Sequence, residues 1–163
     1  MTAELREKLI ATAREMNHSG INQGTTSGNL SLRSGEGMLI TPSGLPYDRL
    51  EPADIVFLPL DCGDAAVSKG PRKPSSEWRI HRDVYRARPE ALAILHAHPV
   101  HCAALACLHR PLPAFHYMVA VAGGRDIRCA PYATFGTQEL SDRVLAALDG
   151  RRACLLAHHG MIA

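Results

Sequence analysis

The chain has 163 residues, 46% of them hydrophobic and 21% charged, which is enough to bury a real core and too apolar for a disordered protein. Eighteen Lys and Arg against 16 Asp and Glu leave a formal net charge of +2, so nothing favours nucleic acid or a membrane surface as a partner, and any anion must be held locally. Cys62, Cys102, Cys107, Cys129 and Cys154 are odd in number and form no C-x-x-C pair, which argues against a disulfide framework or a zinc knuckle and for a reducing, cytoplasmic setting. The charged N-terminus has no apolar signal-peptide core, and no run approaches the roughly 18 apolar residues of a membrane span.

In chain order, Leu5, Leu9, Ala13 and Met16 recur at helical spacing, and the glycines of HSGINQG end that first helix. NLSLR and MLIT flank the turn signal SGEG, with IVFLPL following a punctuated loop, so residues 29–60 are predicted to form antiparallel strands. SSEWRIHRDVYRA is predicted as a serine-capped helix with Trp78, His81, Val84 and Tyr85 on one face, stopping before Pro89. ALAILHAH is a strand apolar on both faces, hence central, and PVHCAALACL is the helix it feeds, with Pro99 at the first helical position. TQELSDRVLAALDG is a helix with Leu140, Val144 and Leu148 on one stripe and Gly150 at its end, followed by the strand ACLLAH. Strands covered on both faces by helices predict one three-layer α/β/α domain.

The chemistry concentrates at strand ends. Residues two apart on a strand point the same way, so His96 and His98 of HAH project together. That is a chelating arrangement for a metal with an open coordination position. His158 and His159 of AHHG end a second apolar strand; only one of them can face the same metal, and the glycine permits close approach. Ser75, Ser76 and Glu77 sit where a helix begins, where free N–H groups and the dipole favour an anion, while GTTSGNLS and TPSG offer the same Gly, Ser, Thr and Asn chemistry. A base, a Lewis acid and an anion handle are the parts of enolate chemistry.

NQGTTSGNLSLR, GMLITPSGLPYDRL, KPSSEWRIH, HAHPVH, PAFHYMVAVAGG, CAPYATFGTQEL and LLAHHGMIA together resemble the class II, zinc-dependent aldolase and epimerase family, most of all its branch acting on fuculose 1-phosphate. The resemblance covers residues 1–163 as one domain and implies an α/β/α fold with a largely antiparallel mixed sheet, assembled as a homotetramer with active sites between subunits. It implies one Zn2+ per subunit on His96, His98 and His159, with Glu77 both the catalytic base and the fourth ligand until substrate displaces it. It places the substrate phosphate on Gly28, Asn29, Ser43, Gly44, Ser75 and Ser76 with Thr26, or its neighbour Thr25, the loop being one residue longer than in the family. Tyr117 matches the tyrosine that enters a neighbouring subunit's site and exchanges a proton with the aldehyde-side oxygen. The implied reaction is cleavage of a ketose 1-phosphate, fuculose 1-phosphate foremost, to dihydroxyacetone phosphate and lactaldehyde. The family continues past the equivalent of Ala163 through a segment that carries another tyrosine, and these 163 residues lack it. Two other readings share the pattern: a ribulose-phosphate epimerase or ketose-phosphate dehydratase with the same chemistry, and a non-catalytic interaction module like the head of adducin.

Overall fold

A computed structural model describes residues 2–22, 24–63 and 71–163. Helix α1 spans Thr2–His18, and Leu9, Ile10, Ala13 and Met16 form its buried stripe. Strands β1 (Asn29–Ser34) and β2 (Gly37–Ile40) make the predicted antiparallel hairpin, with β3 (Val56–Pro59) added outside them at the edge. Helix α2 (Trp78–Ala87) leads to β4 (Ala93–Ala97), α3 (Val100–Cys107), the short β5 (Cys129–Ala130), α4 (Gln138–Leu148), β6 (Cys154–Leu156) and β7 (Gly160–Ile162).

The seven strands run in the order β3-β2-β1-β4-β7-β6-β5, all pairs antiparallel except β5 with β6. β4 is the middle strand, as its two-sided apolar sequence predicts. Alternation along the strands splits the core in two. Leu30, Leu39 and Ala97 meet α1 on one face, while Ile40, Ile94 and Ile162 meet Ile80 and Val84 of α2 and Leu140 and Val144 of α4 on the other. Each of these leucines, isoleucines and valines contributes on the order of 1.5–3 kcal/mol by leaving water, so both helical layers are held by burial. The predicted α/β fold, with a central, mostly antiparallel mixed sheet between helices, is the fold observed.

Three boundaries differ from the sequence expectation, each for a local reason. Pro99 is not the first residue of α3 but its N-cap, in extended backbone at φ −60°, ψ 137°. The N-cap of α2 is Glu77 rather than a serine, and its carboxylate makes no capping bond because it is drawn toward His96. Ser75 Oγ accepts instead from the Glu77 N–H at 3.3 Å, two residues before the cap. The strand predicted through His158 ends at Leu156; both histidines lie in the turn to β7, a strand too short to separate from that turn by pattern.

Candidate active site

β4 carries His96 on its α2 side, directly opposite Asn29 of β1 and Ile162 of β7. His98 lies just past the strand end and turns its ring back, so that the two Nε2 atoms stand 2.9 Å apart. His159 reaches the same point from the β6–β7 turn, its ring centroid 4.7 Å from that of His96 and 5.2 Å from that of His98. The three rings offer ligand nitrogens that all lie within 4.8 Å of one another. His158 has left-handed backbone at φ +55°, which sends its ring away to His109, 4.3 Å between centroids. Of the adjacent pair, therefore, only His159 joins the cluster. Gly160 makes the approach possible, because a Cβ there would stand 2.5 Å from the Ala97 carbonyl oxygen and 2.7 Å from His98 Cδ2.

The cluster can hold a cation. His96 Nδ1 donates to the Met161 carbonyl at 2.9 Å, so in the neutral ring Nε2 is a bare lone pair. That lone pair faces His98 Nε2 at 2.9 Å and Glu77 Oε2 at 3.0 Å. Acceptors converging this closely need a proton or a metal ion between them. Glu77 Oε1 is buried, accepts no hydrogen bond among the described residues, and lies 3.6 Å from His159 Nε2. Three imidazoles with one adjoining carboxylate are the donor set of a divalent transition metal of the zinc type, so the residues present fit such an ion.

Electrostatics point the same way. Burial works to raise the Glu77 pKa, but the hydrogen bond and charge of His96, the charge of His159 and the Asn29 amide outweigh it and bring it down to about 2. A metal cation in place of an imidazolium proton acts in the same direction. Burial, reinforced by the charges of His96 and His159, lowers His98 to about 4; burial also lowers His159. Both rings are thereby kept as neutral ligands near pH 7.

Beside the cluster opens a cavity of about 240 Å3 bordered by Glu77, His98 and His159. All seven residues expected to hold phosphate line it: Thr26, Gly28, Asn29, Ser43, Gly44, Ser75 and Ser76. Thr25 does not line it; its carbonyl accepts from the Tyr47 N–H at 3.3 Å. Gly28 has φ +73°, and a Cβ there would meet the His96 carbonyl oxygen at 2.7 Å, so this wall can be made only by glycine. Hydroxyls, one amide and close backbone make a small polar pocket without a fixed cation, suited to an oxyanion next to a metal.

Tyr117 is not in this cavity. It opens a 3-10 turn spanning Tyr117–Ala122 and is 79% exposed, next to the exposed Phe115, Met118 and Val121. Sequence reading missed several residues that shape the site. Phe135 lines the cavity. Asn22, hidden in a stretch read only as a helix stop, accepts from the His98 N–H at 3.1 Å and donates to the Ser27 carbonyl, tying the cavity loop to the histidine strand. Among the described residues no helix is long and apolar enough to cross a membrane.

Comparison with known proteins gives the chain its family. Residues 7–163 match the family described as class II aldolase and adducin N-terminal domain. The chain is 58% identical to a protein of Rhodospirillum rubrum named 5-methylthioribulose-1-phosphate/5-deoxyribulose-1-phosphate aldolase, over 98% of this chain and 70% of that one. It is 52% identical to L-fuculose phosphate aldolase of Escherichia coli K12, over 98% of this chain and 72% of the relative. A solved L-fuculose 1-phosphate aldolase superposes with a TM-score of 0.91 at 42% identity, covering 98% of this chain and 74% of that one. The chain belongs to the class II aldolase family, among relatives named as aldolases, which are lyases.

Proposed function

We propose that this protein cleaves and forms the carbon–carbon bond of a ketose 1-phosphate, yielding dihydroxyacetone phosphate and an aldehyde. The observation that carries this reading is the meeting of three imidazoles and Glu77 with a pocket of hydroxyls and amides at one edge of the same cavity. His96, His98 and His159 would hold zinc, with Glu77 as fourth ligand in the absence of substrate. Zinc there supplies a Lewis acid that lowers the cost of negative charge on the oxygens of an enediolate. The phosphate would rest on Thr26, Gly28, Asn29, Ser43, Gly44, Ser75 and Ser76, which orients carbons 1 to 3 toward the histidines.

Glu77 is the base of the condensation direction, taking the carbon-bound proton of dihydroxyacetone phosphate through the oxygen that accepts no hydrogen bond. In cleavage the same carboxyl returns that proton to the carbon released from the broken bond. The hydroxyl on the aldehyde side must lose its proton as that bond breaks, and Tyr117 of a neighbouring copy would receive it. The 79% exposure of Tyr117 on an apolar 3-10 turn supports a homotetramer in which that turn enters the adjacent site. Five unpaired thiols support a cytoplasmic enzyme.

Relatives named for methylthioribulose 1-phosphate at 58% identity and for fuculose phosphate at 52% make both substrates candidates. Metal-replete protein assayed for aldehyde release on a panel of both, with 5-deoxyribulose 1-phosphate, decides among them. Release from one or more supports the reading, and no release from any overturns it.

A further inference from the structure

Behind the cleft, on the α2 side of β1, runs a line of polar groups that touches no part of the cavity beyond its first two members. Asn29 Nδ2 donates to Glu77 Oε2 at 3.1 Å, and Asn29 Oδ1 meets His81 Nε2 at 2.6 Å. His81 Nδ1 meets Ser31 Oγ at 2.7 Å, and Ser31 Oγ meets the Tyr85 hydroxyl at 3.0 Å. Asn29, Ser31, His81 and Tyr85 are all buried, His81 and Ser31 completely. Polar groups this deep cost several kcal/mol unless each has its partner, and here each has.

One end of the line fixes the direction of all of it. A carboxylate can only accept, so the amide nitrogen of Asn29 must face Glu77 and its carbonyl must face His81. His81 Nε2 must then carry the proton. Its Nδ1 accepts from the Ser31 hydroxyl, and Ser31 in turn accepts from Tyr85. Burial, with the charge of His96, lowers the His81 pKa to about 3, which keeps the ring neutral in that tautomer. The chain of donors thus ends by pinning one oxygen of Glu77, while the other accepts no hydrogen bond.

We propose that His81 is a positioning residue for Glu77: with Ser31 and Tyr85 behind it, it locks the Asn29 amide, and through Asn29 holds Oε2, so that Oε1 is presented as the oxygen that moves the substrate proton. This rests on the aldolase reading above. Among the described residues His81 does not line the cavity, and its hydrogen bonds go to Asn29 and Ser31 rather than to the histidine cluster, so its effect is on the geometry of proton transfer rather than on substrate binding.

The test uses metal-replete protein and two variants. His81→Phe keeps the ring volume but removes both nitrogens; His81→Gln restores a donor toward Asn29 and an acceptor toward Ser31. His81→Phe should lower kcat for aldehyde release by about 10- to 100-fold with KM within about twofold, the size of loss that misplacing a catalytic group from a distance produces. His81→Gln should recover most of it. In parallel, 15N NMR of the imidazoles in the unmutated protein should find His81 protonated at Nε2 and bare at Nδ1. An unchanged kcat in a folded His81→Phe protein overturns the proposal, and so does an Nδ1-protonated His81, which decides the matter even if that variant fails to fold. Inactivity of the unmutated protein on every ketose phosphate would fell the aldolase reading alone, since the tautomer of His81 is read without turnover.

Discussion

Asn29 and His96 face each other directly across the β1–β4 ladder. The side chain of one lines the polar cavity and that of the other belongs to the histidine cluster, so a single antiparallel register sets the distance between the two. A slip of one residue in either strand would turn that strand's side chain to the opposite face and separate the pair. The site is therefore a property of the sheet, and its parts can be tested one at a time.

Removing a ligand tests the cluster. The unmutated protein should bind about one equivalent of zinc, and His98→Ala or His159→Ala should release it at least ten-fold more readily. Metal analysis after dialysis against a chelator measures this, and retention of zinc by both variants would break the assignment.

Glu77→Gln separates binding from chemistry. The amide fills the same space and still accepts from Asn29, so zinc content should hold, while exchange of the carbon-bound proton of dihydroxyacetone phosphate falls by about 10²- to 10⁴-fold. Exchange at the unmutated rate would remove Glu77 from the mechanism.

Activity should follow assembly if Tyr117 serves a neighbour. Mixing Glu77→Gln chains with Tyr117→Phe chains, each nearly inactive alone, should restore cleavage in mixed oligomers, because some sites then combine an intact Glu77 with an intact Tyr117. Subunit exchange without recovery would show that the two residues do not share a site.

Gly28→Ala should cost about 1–3 kcal/mol of stability, because alanine is strained at positive φ and its methyl would press on the His96 carbonyl. Thermal unfolding reads the loss, and an unchanged Tm would mean that the cavity wall yields without penalty.

Acid stability has an identifiable contributor far from the cleft. Asp83 accepts from Arg82 Nε, Gln138 Nε2 and Ser141 Oγ, each at 2.7 Å, joining α2 to α4. Burial works to raise its pKa, but these hydrogen bonds and the Arg82 charge hold it below the usual carboxylate value. A carboxyl depressed in the native state contributes stability above its unfolded pKa of about 3.9 and loses it as pH falls further. Asp83→Asn should destabilise by about 1–3 kcal/mol at pH 7, and the difference from the unmutated protein should shrink below pH 4. A difference constant from pH 7 to pH 3 would contradict this.

Much of the cleft was legible before the fold was known. The period of two predicts that His96 and His98 act together, and the need for one member of HHG to face away is met by the left-handed backbone of His158. The helix start at Ser75–Glu77 was readable as an anion-friendly end, although the residue at the cap is the carboxylate itself. Other parts were not readable, for physical reasons. His81 lies on the same helical face as Trp78, Val84 and Tyr85, and an imidazole on an apolar stripe looks like packing until its partners on β1 are known. Asn22 lies among glycines whose turn signal dominates the pattern. β5 and β7 have two and three residues, too few to establish any period, and are strands only because their neighbours pair with them. Tyr117 stacks only on its neighbour His116, 4.6 Å between ring centroids, among the described residues, and lies outside the cavity, so nothing near the cleft marks it.

β7 is synthesised after every strand it joins, yet it sits between β4 and β6 near the middle of the sheet. Until it inserts, the growing chain holds two separate half-sheets, each with an open edge able to pair with another molecule. His159 immediately precedes β7, so closure of the sheet and completion of the histidine cluster are one kinetic event. Such a late, non-local step is slow, and an ion that binds only the closed form acts as a latch, slowing reopening. Refolding in the presence of zinc should therefore yield less aggregate than refolding with a chelator, making the site a determinant of how safely the protein is made.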